Sequence, residues 1–166
     1  MLALGIDPGT AIVGYGLVRE LPDGALQLVD YGVITTPAGM PMWERLEIIY
    51  DGLTALLKKH QPDLVGVEEI FFAKNVTTAL TVAQARGVIL LALHQARVPI
   101  SEYKPNAIKQ SLTGYGAADK KQMQEMVRLM LNLEKIPRPD DAADALAIAI
   151  TTLHSAKYNS LGDDWR

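Results

Sequence analysis

The chain has 166 residues, 49% of them hydrophobic and 21% charged, with no cysteine and a formal net charge of −3. That is the size and balance of one ordinary globular domain with a real core, and it excludes a disordered chain, a disulfide scaffold and a thiolate metal centre. Any metal must sit on oxygen or histidine ligands, and with three histidines scattered along the chain carboxylates are the better candidates.

Met1 to Ile6 is short and apolar and ends at the turn signal Asp7-Pro8-Gly9. Ala11 to Arg19 and Leu26 to Thr36 read as a second and third strand, joined by the turn Pro22-Asp23-Gly24. Three strands in succession predict an antiparallel meander. The period then changes: Trp43, Leu46, Ile49, Leu53 and Leu56-Leu57 recur at helical spacing within Met42 to Lys59. Asp63 to Glu68 follows as a fourth strand, Asn75 to Ala96 as a long Ala/Leu/Val-rich helix, and Val98 to Tyr103 as a fifth strand. Helices are expected over Asn106–Leu112 and Ala118–Leu133, separated by Gly114-Tyr115-Gly116, and from Pro139 to about Ala156. The order predicts an α/β fold with a five-stranded mixed sheet flanked by helices. It fills one domain over residues 1–157, followed by a polar, frayed tail over 158–166.

No apolar run approaches the roughly 18–20 residues of a membrane span. The N-terminus lacks the basic start of a signal peptide, so a cytoplasmic protein with no membrane partner is expected. Charge is unevenly spread. From Ile70 to Arg128 there are eight basic and three acidic residues, a net of +5. That suits a nucleic-acid-facing surface, and equally a set of solvated helix faces.

The acidic residues carry the functional signal. Asp7 ends an apolar strand, although Asp-Pro-Gly is also simply a good turn. Glu68 and Glu69 end another, and strand alternation sends them to opposite faces, so one can enter a site while the other points away. Asp140 and Asp141 open the last helix, where acids favourably meet its dipole. Asp144 shares a face with Asp141 but lies in Ala-Ala-Asp-Ala-Leu-Ala, where an ionised carboxylate is costly unless paired. If the strands adjoin and the helix crosses their ends, these carboxylates converge, and a divalent cation would relieve their repulsion.

Several blocks resemble the RuvC family of Holliday-junction resolvases. They are Gly5-Ile6-Asp7-Pro8-Gly9-Thr10 with Gly14-Tyr15-Gly16, Val67 to Asn75, Gln84-Ala85-Arg86-Gly87, Tyr103-Lys104-Pro105 through Gln110, Ala118-Asp119-Lys120, and Asp141 to Ala147. They fall in order across Met1 to about His154. The resemblance implies a ribonuclease-H-like fold and a homodimer. It implies symmetric paired nicking of four-way DNA junctions in recombination and repair, and association with a branch-migration motor. It implies that Asp7, Glu68, Asp141 and Asp144 are the catalytic, metal-binding carboxylates, holding two Mg2+ per subunit with Mn2+ as a substitute. It also sets Lys109 and Lys120 beside the phosphate backbone and Phe71 against a base, and Lys74 joins them as a DNA-binding residue in the basic stretch. Phe72 is expected to be buried or at the dimer interface. The helix Asn75–Ala96 is the candidate dimer surface, His154 is an ordinary helix residue, and Asp140 has no assigned role. Glu69→Gln and Asp140→Asn are accordingly expected to leave most of the activity.

Two other readings compete. Gly5 to Thr10 also resembles the first phosphate loop of actin-like ATPases and sugar kinases, although that class needs two lobes and this chain has length for one. A non-catalytic DNA-binding relative would retain the fold with a degraded carboxylate set, whereas all four acids are present here.

Overall fold

The computed structural model describes residues 1–70 and 76–163. In chain order the elements are β1 (Leu2–Asp7), β2 (Ile12–Glu20), β3 (Leu26–Thr35), α1 (Met42–His60), β4 (Leu64–Glu68), α2 (Val76–Gln95), β5 (Ile100–Tyr103), α3 (Pro105–Thr113), α4 (Lys120–Met130) and α5 (Asp140–Asp163). The sheet runs β3-β2-β1-β4-β5. The first three strands form the antiparallel meander, while β1, β4 and β5 are parallel neighbours.

Alternation along β1 sorts the two cores. Leu2, Leu4 and Ile6 pack with Ile49 and Leu53 of α1 and Ile89 and Leu93 of α2. Ala3 joins the opposite cluster, with Ile108 and Leu112 of α3, Met123 and Val127 of α4 and Leu146 to Ile150 of α5. Helices therefore cover both faces, as a sheet with parallel central strands requires.

Helix α5 is the centre of the second layer. It touches β1, β2 and β4 on one side and α3 and α4 on the other. From Ala142 to Leu153 every residue except Asp144 is buried, so this helix is apolar nearly all round. It also lies unusually close to the sheet. Gly5 pairs with Gly16 on β2 and with Gly66 on β4, giving a row of three glycines beneath the helix. A Cβ on Gly5 would collide with the backbone of Ala145 and Ala149, and one on Gly16 would stand 2.7 Å from the Leu146 nitrogen.

Several boundaries differ from expectation: β5 starts at Ile100 and not Val98, and α4 ends at Met130 and not Leu133. α4 starts at Lys120, later than the expected Ala118. Asp119 is its N-cap, accepting a hydrogen bond from the Gln122 backbone while the Gln122 side chain accepts one from Asp119 N–H. α5 continues to Asp163, past the expected end near Ala156. The polar residues there contain no helix breaker before Gly162. No helix among the described residues is long and apolar enough to cross a membrane.

Candidate active site

Asp7 and Glu68 are the last residues of β1 and β4, and the parallel register Gly5↔Gly66, Ile6↔Val67 brings them to the same end of the sheet. Gly5 and Gly66 face α5, so the two-residue period turns Asp7 and Glu68 to that face as well. Glu69 lies on the other side, lining a groove with Ile70, Ala83, Arg86, Gly87 and Glu102. Arg86 there is ion-paired with Glu102.

The N-terminal turn of α5 closes over the strand ends. Gly14, the β2 partner of Asp7, backs directly onto the carbonyl of Asp141. Asp144 follows one turn later and borders a cleft of about 210 Å³ with Glu68, Lys109, Lys120, Pro105, Ile108, Met123 and Ala147. A second layer braces the turn after Asp7. Arg45 Nε donates to Thr36 Oγ1 (2.8 Å), and Thr36 Oγ1 donates to the Thr10 carbonyl (2.6 Å).

Burial, and then the negative charges of Glu68, Asp144 and Asp141, push the Asp7 carboxyl up to about 8, against the opposing pull of Lys120. Burial and Asp144 push Glu68 up to about 6, with Lys109 opposing. Asp144 is raised by its burial, with the Asp140 and Asp141 charges adding to the rise, although Lys120 pulls it down. Raised acids gathered at neighbouring strand ends beside a cleft are a functional signature. Among the described residues no three acidic or histidine side chains close around a single point, so the carboxylates would have to draw in around an ion.

The structure thus brings Asp7, Glu68, Asp141 and Asp144 into one electrostatic cluster, with Lys109 and Lys120 on the wall of its cleft. The Phe71, Phe72 and Lys74 assignments lie outside the described residues. His154 sits between α5 and α3, its Nδ1 3.3 Å from Ser111 Oγ, remote from the carboxylates in role. Asp140 is the residue whose surroundings the sequence did not reveal. Its carboxylate meets Lys120, Gln124 and Arg138.

A mixed five-stranded sheet with helices on both faces, and acids at the ends of two central parallel strands beneath a helix, defines the ribonuclease-H-like class. Within it the chain belongs to the RuvC family: the family model, described as crossover junction endodeoxyribonuclease RuvC, matches residues 3–152. The crossover junction endodeoxyribonuclease RuvC of Chloroflexus aggregans is 64% identical over 156 residues, 94% of each chain. The Thermus thermophilus RuvC structure superposes with a TM-score of 0.90 at 37% identity, covering 96% of this chain and 97% of that one. The same protein in complex with Holliday junction substrate gives 0.87 at 35% identity, covering 95% and 96%. The actin-like reading of Gly5 to Thr10 gives way to this membership.

Proposed function

We propose that this chain is a structure-selective endonuclease that resolves four-way DNA junctions by paired, symmetric, metal-dependent hydrolysis, leaving nicks that ligase can seal. The observation that carries the reading is the grouping of Asp7 and Glu68, at adjacent parallel strand ends, with Asp141 and Asp144 of α5 in a chain of this family.

The donor set is oxygen only, which suits a hard cation such as Mg2+, with Mn2+ as a substitute and two ions per subunit. The elevation of Asp7, Glu68 and Asp144 by burial and neighbouring negative charge is a cost that divalent charge would remove. Asp7, Glu68, Asp141 and Asp144 would hold the ions. Once bound, the ions supply a lowered pKa for the attacking water and neutralising charge at the leaving oxygen. The protein does the rest. Lys109 and Lys120 receive the scissile phosphate in the cleft and offset the charge that grows on its oxygens as the transition state forms. Such contacts give affinity and not sequence choice. The family resemblance further implies that Lys74 contacts the DNA backbone and Phe71 a base, and base stacking on an aromatic ring is worth about 1–3 kcal/mol.

Two nicks require two subunits. The exposed side of α2 carries Leu80 and Leu91, 65% and 51% accessible, and an open Gly87 between them, a surface suited to a second copy of the chain. A cytoplasmic homodimer working with a branch-migration motor completes the reading.

The test is cleavage of a labelled four-way junction and of linear duplex in Mg2+. The junction should be cut and the duplex spared; equal cutting would make this a general nuclease. Glu68→Gln should lose more than about a hundredfold in rate, beyond the usual cost of disturbing a ligand's support. Glu69→Gln, across the sheet, should stay within about twofold of the parent rate. Comparable losses in both would dissolve the assignment of Glu68.

A further inference from the structure

Asp140 stands beside the carboxylate cluster without belonging to it. Its two oxygens have different partners. Oδ1 is held by Arg138 and accepts a hydrogen bond from Gln124 Nε2 at 3.1 Å. Gln124 is 6% accessible, so this end of the carboxylate is fixed from within the α4–α5 contact. Oδ2 is left for Lys120, whose Nζ lies 3.2 Å away. The same ammonium reaches Asp144 Oδ2 at 3.4 Å. Lys120 is therefore shared between one acid inside the cluster and one outside it.

Stability does not account for this arrangement. The three side chains are 39–53% accessible, and exposed ion pairs contribute little to folding. Lys120 also opens α4, where a cation opposes the helix dipole. A lysine at that site is better explained by an anion that arrives in the cleft. Its long side chain must then be kept in place, because an unrestrained ammonium samples many rotamers.

We propose that Asp140 is a positioning residue that anchors Lys120 at the mouth of the cleft while Asp144 is committed to the metal ions. The inference rests on the phosphate-binding role of Lys120 given above. With Asp144 holding a cation, Lys120 would lose one of its two acids. Asp140, pinned by Gln124 and Arg138, keeps the ammonium beside the scissile phosphate. From the sequence Asp140 has no assigned role, and Asp140→Asn is expected to keep most of the activity; the anchoring role instead predicts slower cleavage.

The test is a double-mutant cycle on the full-length protein with Asp140→Ala, Lys120→Ala and the pair, read in two ways. One is the single-turnover cleavage rate of a four-way junction in Mg2+. The other is junction affinity by gel shift without divalent ions. Asp140→Ala should slow cleavage roughly two- to fivefold, while affinity stays level or tightens, since a negative charge is removed beside DNA. In the Lys120→Ala background, Asp140→Ala should have no further effect on rate. Asp140→Asn, which keeps a hydrogen-bonding side chain for Gln124 but loses the charge, should resemble Asp140→Ala. If Lys120→Ala cleaves at the parent rate, the phosphate-binding reading of Lys120 fails. If Lys120→Ala is slow but the two effects multiply, or affinity and rate fall together in Asp140→Ala, the anchoring role is overturned while that reading stands.

Discussion

Asp7→Asn is expected to give a protein that still binds a four-way junction, no longer nicks it in Mg2+, and melts higher than the parent when metal is withheld. The first two effects follow from its place among the proposed ligands. The third follows from electrostatics. Burial first, and then Glu68, Asp144 and Asp141, raise Asp7 to about 8 from an ordinary 3.8. The folded state therefore holds this proton more tightly than the unfolded chain does. Ionisation costs stability, beginning above about pH 4 and complete above about pH 8. Across that window the metal-free parent should lose stability as pH rises, by an amount on the order of 2–4 kcal/mol, discounted from the full shift because the site can admit water. Asparagine has the same shape and no charge to lose. The gap in Tm should thus be near zero toward pH 4 and reach roughly 5–10 °C at pH 8 for a domain of this size. Glu68 titrates in both proteins and adds a slope common to both. Mg2+ should stabilise the parent and narrow the gap. Melts from pH 4 to 8.5 in a chelator decide the matter: if Asp7→Asn melts no higher than the parent at pH 8, Asp7 is not the strained member of the cluster, and if it cleaves at full rate it is no ligand.

Stability and function are opposed at this site, and that opposition explains which parts of it could be read from the sequence. A charge at the end of an apolar strand is visible without a structure, even where a turn such as Asp7-Pro8-Gly9 also accounts for it. Asp7 and Glu68 stood out in that way, and Asp144 as a charge on an otherwise apolar helical face. Strand alternation showed that Glu68 and Glu69 must part company, but not which faces the helix. That choice depends on Gly5 and Gly66, whose bare faces receive α5. Asp141 and Asp140 were harder, since acids in a first helical turn have an ordinary explanation in the dipole. The pairing of Asp140 with Lys120 joins residues 20 positions apart through the α4–α5 contact. No periodicity encodes it. The late start of α4 was legible in principle, because Asp119 and Gln122 have capping-box spacing, but the apolar Ala118 before them extends the helical pattern. The glycine row was visible only as isolated letters. Gly5 and Gly16 read as motif positions and Gly66 as one residue of a strand until the register aligned them across three strands.

That row supports the second large effect. Gly5→Ala is expected to cost both fold stability and cleavage, out of proportion to one added methyl group. An alanine Cβ here would run into the Ala145 carbonyl oxygen and the Ala149 amide nitrogen, both backbone atoms inside a continuous helix. A side chain could rotate aside, but these atoms cannot move unless the helix moves. Overpacking a core against side chains costs typically about 1–3 kcal/mol. Against backbone the upper end of that range is the expectation, a fall in Tm of roughly 6–12 °C. The functional loss has a separate cause. If α5 lifts from β1, Asp141 and Asp144 move away from Asp7 and Glu68 together, since the two pairs sit on different elements. A displacement of about 1 Å at reacting groups can cost on the order of a hundredfold in rate. Gly5→Ala should therefore cleave far more slowly even at 20–25 °C (roughly room temperature), where most of it remains folded, and without any acid having been removed. No truncation of an α5 side chain should rescue it, because the clash is with backbone. Circular dichroism melts and single-turnover cleavage measured side by side separate the two losses. A Gly5→Ala protein with the parent's Tm and the parent's rate would mean that α5 does not rest on β1 as closely as described, and the alignment of the four carboxylates would then need another support.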